Sequence, residues 1–220
     1  KKTNGRLHVF HLSTKEETKL FENHINLKNK KITSEVCIHH LSFYDADYKT
    51  KGNFIKWNPS IKTIEDQNAL WDALTSDKID VIATDHAPHT FSEKSQSYVD
   101  CPSGGPLVQH SLYIMYEHFL KNRISLEKIV EKMCHNPAIL FNIKNRGFIR
   151  EGFFADLVIL RKNQDWVINK SNILYKCGWS PFEGKKINST ISHTFVNGNL
   201  VYENGKFNQN TMGKKIEFNS

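Results

Sequence analysis

The sequence lacks several features that are typical of large classes of protein: cysteine pairs, long apolar runs and internal repeats. Its 220 residues include only four cysteines, which lie far apart and form no Cys-x-x-Cys pair. This pattern excludes zinc ribbons and thioredoxin-like motifs and is typical of reduced thiols in a cytosolic protein. No apolar run approaches the roughly 20 residues that cross a membrane. Internal repeats and low-complexity tracts are absent as well, which excludes repeat architectures.

The charge is positive, but it is not concentrated anywhere. The formal net charge is +7, the lysines are scattered among asparagines, and no run exceeds two consecutive basic residues. The aromatic residues, 11% of the chain, are also scattered, so no base-stacking platform is indicated. We therefore expect neither a nucleic-acid nor a membrane partner, and we predict a cytoplasmic protein.

The first residues contain no initiator methionine and no targeting segment, and a strand-like segment follows almost at once. We therefore expect the chain to be part of a longer protein. Alone, it should be inactive and poorly stable, with a partly built barrel that is open on one side.

Strands and helices alternate along the first part of the chain, which indicates an α/β fold with a parallel sheet or barrel. The predicted strands here are Leu7–Leu12, Glu35–Ile38 and Val81–Thr84. The predicted helices are Lys15–Asn26, capped by Ser13 or Thr14, then Glu65–Leu74, Leu107–Phe119 and Leu126–Cys134. A break is expected at His135-Asn136-Pro137.

After residue 145 the pattern becomes rich in β-structure. The predicted strands are Gly147–Ile149, Ala155–Leu160, Ile191–Val196 and Leu200–Glu203, and Asn197-Gly198 predicts a hairpin turn between the last two. We therefore predict two domains, residues 1–145 and 146–220.

Residues able to bind a metal follow the apolar strands. His11 follows the first strand, His39 and His40 follow the second, and Asp85 follows the third. In a parallel barrel the carboxyl ends of the strands face the active site. Imidazole and carboxylate ligands suit an ion of the Zn²⁺ type with an open coordination position.

Four segments resemble, in order, successive motifs of the dihydroorotases, a family of cyclic amidohydrolases in the amidohydrolase superfamily. They are His11–Thr14 (HLST), Glu35–Leu41 (EVCIHHL), Lys56–Pro59 (KWNP) and Thr84–His89 (TDHAPH). The tail segments Gly147–Leu160, Trp179–Gly184 and Val196–Gly198 are also similar to that family. The resemblance implies the last three strands, six to eight, of a metal-dependent (β/α)₈ TIM barrel, followed by part of a small β-sandwich domain.

The resemblance also implies roles for individual residues. His11 corresponds to a ligand of one metal ion, and Asp85 to a ligand of the other and to the general acid/base. A carboxylate beside an activated water can take its proton and pass it on, so the chemistry agrees. His39 and His40 are capable ligands, but the family pattern makes them supporting residues. A binuclear Zn²⁺ site is implied for the intact parent, with other divalent metals left open.

Four further residues are expected to bind the substrate. His89 corresponds to a contact with the substrate carboxylate and Asn58 to a contact with the pyrimidine ring. Gly104 and Gly105 permit close approach of their backbone to the ring, although an ordinary loop is an equal alternative.

The implied activity is the reversible hydrolysis of dihydroorotate to N-carbamoyl-aspartate in pyrimidine biosynthesis, with a homodimer left open. One alternative is another cyclic amidohydrolase: a hydantoinase, a dihydropyrimidinase or an allantoinase. Another is a non-catalytic partner of aspartate carbamoyltransferase, against which the presence of His11 and Asp85 argues. Many dihydroorotases have proline where Ile38 stands, which suggests a subgroup.

Overall fold

The first part of the chain folds around a parallel sheet. The computed structural model describes residues 3–210 and 213–219. Three strands form this sheet in the order β1-β2-β3: β1 (Leu7–Val9), β2 (Ile32–Cys37) and β3 (Val81–Ala83). Leu7 is opposite Ile32, and Cys37 is opposite Ala83. Within residues 3–210 and 213–219, neither outer strand has a further neighbour.

Eight α-helical segments accompany the strands in the described part of the chain. They are α1 (Lys15–Thr18), α2 (Ile38–Ser42), α3 (Tyr48–Lys51), α4 (Ile64–Thr75), α5 (Phe91–Lys94), α6 (Ser111–Leu120), α7 (Leu126–Val130) and α8 (Asn136–Leu140). The core lies between the sheet and helices α2, α4 and α6, where Val36, Ile38, Leu74 and Ile114 are fully buried. None of the helices formed by residues 3–210 and 213–219 is long and apolar enough to cross a membrane.

Side-chain caps define where several helices begin. Thr14 begins α1 through a capping box with Glu17, and Thr63 begins α4 through a similar box with Asp66. Ser125 caps α7 by accepting a hydrogen bond from the amide of Lys128. Of the two caps predicted for the first helix, Ser13 or Thr14, the structure therefore confirms Thr14.

The prediction of one helix over Lys15–Asn26 is wrong, because α1 ends at Thr18. The following segment is built of turns in which the side-chain oxygen of Asn26 accepts a hydrogen bond from the amide of Lys28. The carbonyl of Asn26 accepts from the amides of Asn29 and Lys30. Short polar side chains compete with helical hydrogen bonds in this way, so the apolar spacing alone overestimated the helix.

The predicted break at His135-Asn136-Pro137 is also wrong. A π-helical turn over Glu131–His135 joins α7 directly to α8. Pro137 lies in the first turn of α8, where the amide hydrogen that proline lacks needs no helical partner. The helix therefore continues from α7 through the wider π-helical turn into α8, and Pro137 does not end it.

The last part of the chain forms an antiparallel sheet with the order β4-β5-β6-β7. Its strands are β4 (Leu157–Val167), β5 (Lys186–Val196), β6 (Asn199–Glu203) and β7 (Lys206–Phe207). Asn197 and Gly198 both have positive φ in the hairpin between β5 and β6, as a type I′ turn requires. The strand predicted over Gly147–Ile149 is not formed; this segment is irregular.

Helix α6 joins the second sheet to the first part of the chain. The Glu117 carboxylate accepts hydrogen bonds from the amide and the side chain of Asn188, at 2.7 and 2.9 Å. The amide of Ile191 donates to the Tyr113 hydroxyl at 3.1 Å. Since both acceptors are on one helix and both partners on β5, these bonds fix the sheet against α6.

Candidate active site

His11 and Asp85 occupy corresponding places in the parallel sheet. His11 follows the last residue of β1 by two positions, and Asp85 follows the last residue of β3 by two positions. Both have left-handed backbone conformations, with φ of 38° and 47°, which are uncommon for residues other than glycine. Such conformations cluster at functional sites. Because the strands are parallel, both residues lie at the carboxyl end of the sheet.

Three ionisable groups influence one another at this end of the sheet. Burial raises the pKa of Asp85, the His11 imidazole lowers it, and the Glu35 carboxylate raises it further. Glu35 lies on the central strand β2, and its Oε2 is 3.2 Å from Nε2 of His8. The other nitrogen of His8 is 2.9 Å from the Thr33 hydroxyl, so the ring of His8 positions Glu35.

Sequence reasoning did not single out Glu35 as a site residue. The available signal was a carboxylate within a strand of a parallel sheet, where both faces are usually covered by apolar neighbours. A charged residue at such a position requires a partner or a function.

The side chains at this end of the sheet include groups of the types that bind divalent metal ions. His11 offers an imidazole nitrogen, and Asp85 and Glu35 offer carboxylate oxygens, which are zinc-type ligands. The raised pKa of Asp85 also suits a group that accepts a proton and returns it during a reaction.

His39 and His40 lie in the first turn of α2 rather than at the end of a strand, since β2 ends at Cys37. Both are buried, and the ring of His39 stacks on Trp57 with a centroid distance of 4.3 Å and an interplanar angle of 12°. His40 Nε2 is 3.0 Å from the carbonyl of Pro59. These contacts connect the strand ends to the loop that contains Asn58.

Burial is the main cause that lowers the pKa of both rings, well below the usual value for His39 and to about 4 for His40. The Thr84 carbonyl near His39 raises its pKa slightly, but it forms no hydrogen bond of acceptable geometry with the ring. Both imidazoles are therefore neutral near pH 7.

The four predicted substrate residues lie in loops that contact one another. The amide of Gly104 donates to the carbonyl of Lys56 at 2.9 Å, and the amide of Ala87 donates to the carbonyl of Gly105 at 3.2 Å. Nε2 of His89 is 3.0 Å from the carbonyl of Ser103, which leaves one ring nitrogen of His89 for another partner. Asn58 is exposed in the same region.

The structure gives a packing reason for both glycines. A Cβ on Gly104 would lie 2.7 Å from the Ala87 carbonyl oxygen, and the φ of Gly104 is +117°. A Cβ on Gly105 would lie 2.7 Å from the Trp57 ring. These positions therefore exclude larger residues because the loops touch, and the predicted contact of both glycines with a substrate ring stays a prediction.

Lys94 holds these loops together from inside. Its side chain is fully buried, and its ammonium group donates to the carbonyls of Pro102 and Lys56, at 2.9 and 3.3 Å. The indole of Trp179 donates to the carbonyl of His89 at 2.8 Å. The loop positions are thus fixed by hydrogen bonds from buried side chains of two other elements.

A cleft of about 780 Å³ lies elsewhere, on the second sheet near Tyr113, Trp166 and Tyr202. Its lining contains no histidine, cysteine, carboxylate or lysine. The cleft therefore lacks the histidine, cysteine and carboxylate side chains that most often bind metals, and the ends of the parallel strands remain the better candidate for metal-dependent chemistry.

The comparisons with known proteins agree with this geometry. Residues 8–201 match the model of the amidohydrolase family. The chain is 33% identical over 209 residues to a dihydroorotase of Pyrococcus furiosus, with 95% of this chain and 48% of that protein covered. It is 34% identical over 202 residues to a dihydroorotase of Endomicrobium trichonymphae, with 91% and 48% covered.

Solved structures of related enzymes superimpose closely. An L-hydantoinase (dihydropyrimidinase) from Arthrobacter aurescens has a TM-score of 0.84 at 29% identity, with 94% of this chain and 47% of that chain covered. A dihydropyrimidinase from Brevibacillus agri has a TM-score of 0.83 at 20% identity, with 94% and 46% covered, which supports the fold alone.

The chain spans about half the length of the curated relatives it matches. The family match nevertheless runs from within β1 to within β6, and it includes His11, Glu35 and Asp85. By this match, and by its likeness to dihydroorotases over nearly its whole length, the chain belongs to the amidohydrolase family.

Proposed function

We propose that the chain forms part of a cyclic amidohydrolase, and that its substrate pair is dihydroorotate and N-carbamoyl-aspartate. The observation that carries the proposal is the pairing of His11 and Asp85 at the carboxyl ends of parallel strands, both with left-handed backbone. The dihydroorotases among the relatives, about one third identical, support this choice of substrate.

In this proposal β1, β2 and β3 are strands six to eight of a (β/α)₈ barrel, and β4–β7 belong to a small β-sandwich. The boundary lies near residue 145, where the pattern of the chain changes. A barrel assignment is supported by the parallel order of the three strands and by the position of the ionisable residues at their carboxyl ends.

Zinc is the metal that we propose for the site, with His11 and Asp85 as ligands. When bound, the ion would lower the pKa of the attacking water to about 7. Asp85 accepts the proton of that water and delivers it to the ring nitrogen as the amide C–N bond breaks. The product then carries a new carboxylate and a terminal carbamoyl group.

The loops provide the contacts that select the ring. We propose that the free nitrogen of His89 binds the substrate carboxylate, and that Asn58 and the backbone of Gly104 and Gly105 bind the ring. A small-molecule substrate is thus the partner proposed for this site.

Two other functions are alternatives to this proposal. A hydantoinase or dihydropyrimidinase activity is favoured by the likeness to the Arthrobacter aurescens enzyme, and an allantoinase is the third cyclic amidohydrolase considered. A non-catalytic partner of aspartate carbamoyltransferase could lack the ionisable residues, so the presence of both His11 and Asp85 argues for an enzyme.

A comparison of ring substrates tests the proposal. The natural polypeptide that carries this sequence is assayed with dihydroorotate, hydantoin, dihydrouracil and allantoin, and kcat/KM is measured for each. We expect dihydroorotate to be preferred at least about 10²-fold, because a buried site made to bind a charged group rejects rings that lack it. A preference for hydantoin or dihydrouracil would instead support the alternative, and no turnover of any ring would contradict enzymatic function.

Replacement of His89 by alanine separates carboxylate binding from ring opening. We expect kcat/KM for dihydroorotate to fall roughly 10- to 100-fold, the value of one hydrogen bond to a charged group. Dihydrouracil, which lacks the carboxylate, should lose much less. The exposed His24 provides a matched control, and His24→Ala should change neither value. Equal losses on both rings would mean that His89 only supports the loop through Ser103.

A further inference from the structure

Three potential metal ligands converge where β2 passes into α2. The Sγ atom of Cys37 and ring nitrogens of His39 and His40 lie within 4.8 Å of one another. Cys37 and His39 are 0% exposed, and His40 is 3% exposed. A thiol and two imidazoles therefore lie together in one buried place. Cys37 is the last residue of β2, and His39 and His40 belong to the first turn of α2.

Three of the four imidazole nitrogens of this cluster lack hydrogen-bond partners among the described protein atoms. Both nitrogens of His39 are without one, and so is Nδ1 of His40, whose Nε2 contacts the Pro59 carbonyl at 3.0 Å. Other buried histidines each keep at least one partner: His110 contacts the Ser180 hydroxyl at 3.1 Å, and His118 contacts the Ser42 hydroxyl at 3.4 Å. Since buried polar groups are nearly always paired, the two unpaired ring nitrogens of His39 favour the binding of a ligand to this ring.

The charges around the cluster differ between its members. Burial chiefly, and the carboxylates of Glu35 and Asp85 in addition, raise the pKa of the Cys37 thiol well above its usual value, whereas His11 lowers the pKa of both histidines. A nearby negative charge attracts a positive ion, and a bound metal ion stabilises the thiolate that these carboxylates alone disfavour. Both histidines are already neutral, as metal ligands must be.

We propose that Cys37, His39 and His40 form a binding site for one divalent ion of the zinc type. Binding creates one metal–sulfur bond and two metal–nitrogen bonds, and the thiol proton of Cys37 leaves to solvent. Zinc bonds of about 2.0–2.3 Å place tetrahedral ligands roughly 3.5 Å apart. The farthest pair must therefore approach by about 1 Å, and a fourth position stays open.

This inference does not depend on the proposed amidohydrolase activity, and its test does not measure turnover. The metal-free chain is titrated with Co²⁺ alone, and the near-ultraviolet charge-transfer absorption from thiolate to cobalt is recorded. The residues His11, Glu35 and Asp85 contain no sulfur, so this band reports the cysteine. We expect the band to saturate at one equivalent of cobalt.

Matched variants identify the sulfur. Cys37→Ser should abolish the band and weaken binding by more than the 10- to 100-fold loss that removal of an outer partner typically causes. Cys101→Ser is the control, because Cys101 is equally buried but contacts the carbonyls of Lys94 and Pro102 instead. It should retain the band, as should Asp85→Asn.

A second measurement needs no mutation in the cluster. Zinc X-ray absorption of the Asp85→Asn chain, in which the other proposed zinc site has lost a ligand, should give one sulfur and at least two nitrogen ligands at one equivalent of zinc, with the same result when Cys101→Ser is added. Absence of a cobalt charge-transfer band in the unmodified chain, its persistence in folded Cys37→Ser, or a zinc environment of oxygen and nitrogen alone would overturn the proposal. Circular dichroism of each variant establishes that it is folded.

Discussion

We expect Asp85→Asn to lower the turnover of dihydroorotate by at least about 10²-fold, the low end of the contribution of a positioned acid/base. The asparagine has the same size but cannot accept a proton from water and return it to the ring nitrogen. Asp85 also has a left-handed backbone, a conformation that asparagine adopts readily, so the backbone should be preserved. The expected loss of turnover therefore reports the loss of proton transfer and metal binding by Asp85, and not a change of the backbone.

The measurement is kcat and kcat/KM for the natural polypeptide that carries this sequence, with Asp72→Asn as the matched control. Asp72 lies on the exposed face of α4, and its replacement should leave both constants within about twofold, as for ordinary surface substitutions. If Asp85→Asn turned over dihydroorotate at a near-normal rate while folded, the role assigned to Asp85 would be wrong.

The residues at strand ends could be predicted because the apolar pattern identifies the strands, and the position just after each strand then identifies the candidate side chain. Short apolar segments before His11 and Asp85 predict buried strands, and parallel strands bring their carboxyl ends to one side of a sheet. The structure confirms parallel strands before both residues. The hairpin at Asn197-Gly198 was predictable for a similar local reason, since its backbone requires positive φ at both positions.

Features that depend on tertiary contacts could not be predicted in this way. The influence of Glu35 on Asp85 requires β2 to lie between the other two strands, which no local pattern specifies. The stacking of Trp57 on His39 joins residues 18 positions apart through an irregular loop. The helical turn across Pro137 also depends on how the flanking segments pack, and propensity alone favoured a break there.

The opposite end of the sheet contains the charged pair for which we expect the largest effect on stability. Nζ of Lys30 is 2.7 Å from Oδ1 of Asp80, and their side chains are 3% and 6% exposed. Oδ2 of Asp80 accepts the amide hydrogen of Ser34 at 3.0 Å. The pair thus joins the segments that lead into β2 and β3, before the strands begin.

The cost of removing the charges of Lys30 and Asp80 from water is only partly offset by the attraction between them. Burial raises the pKa of Asp80, although the Lys30 ammonium pulls it down. The net rise means that the folded protein disfavours the charged carboxylate even with its partner present. A buried pair of this kind specifies how the strands meet but is weak evidence for net stabilisation.

Removal of one partner should nevertheless be costly. In Asp80→Asn the Lys30 ammonium stays buried without a negatively charged partner, and the single amide oxygen of asparagine cannot accept from both Lys30 and Ser34. The other acceptors of Lys30 are the carbonyls of Lys78 and Asp77, at 3.1 and 3.5 Å. We expect the free energy of unfolding to fall by about 3–5 kcal/mol, a large part of the about 5–15 kcal/mol that a typical domain has. Urea unfolding of the natural polypeptide that carries this sequence, followed by circular dichroism, measures this change.

Two further variants decide the cause. The exposed pair of Lys186 and Asp165 has the same 2.7 Å separation but side-chain exposures of 62% and 56%, so Asp165→Asn should cost at most about 1 kcal/mol. Adding Lys30→Met to Asp80→Asn removes the unpaired ammonium and should restore most of the lost stability, because the desolvated charge is then gone. If the double variant were as unstable as Asp80→Asn, the loss would come from the hydrogen bond to Ser34 and the packing around it, and the uncompensated charge of Lys30 would not be its cause.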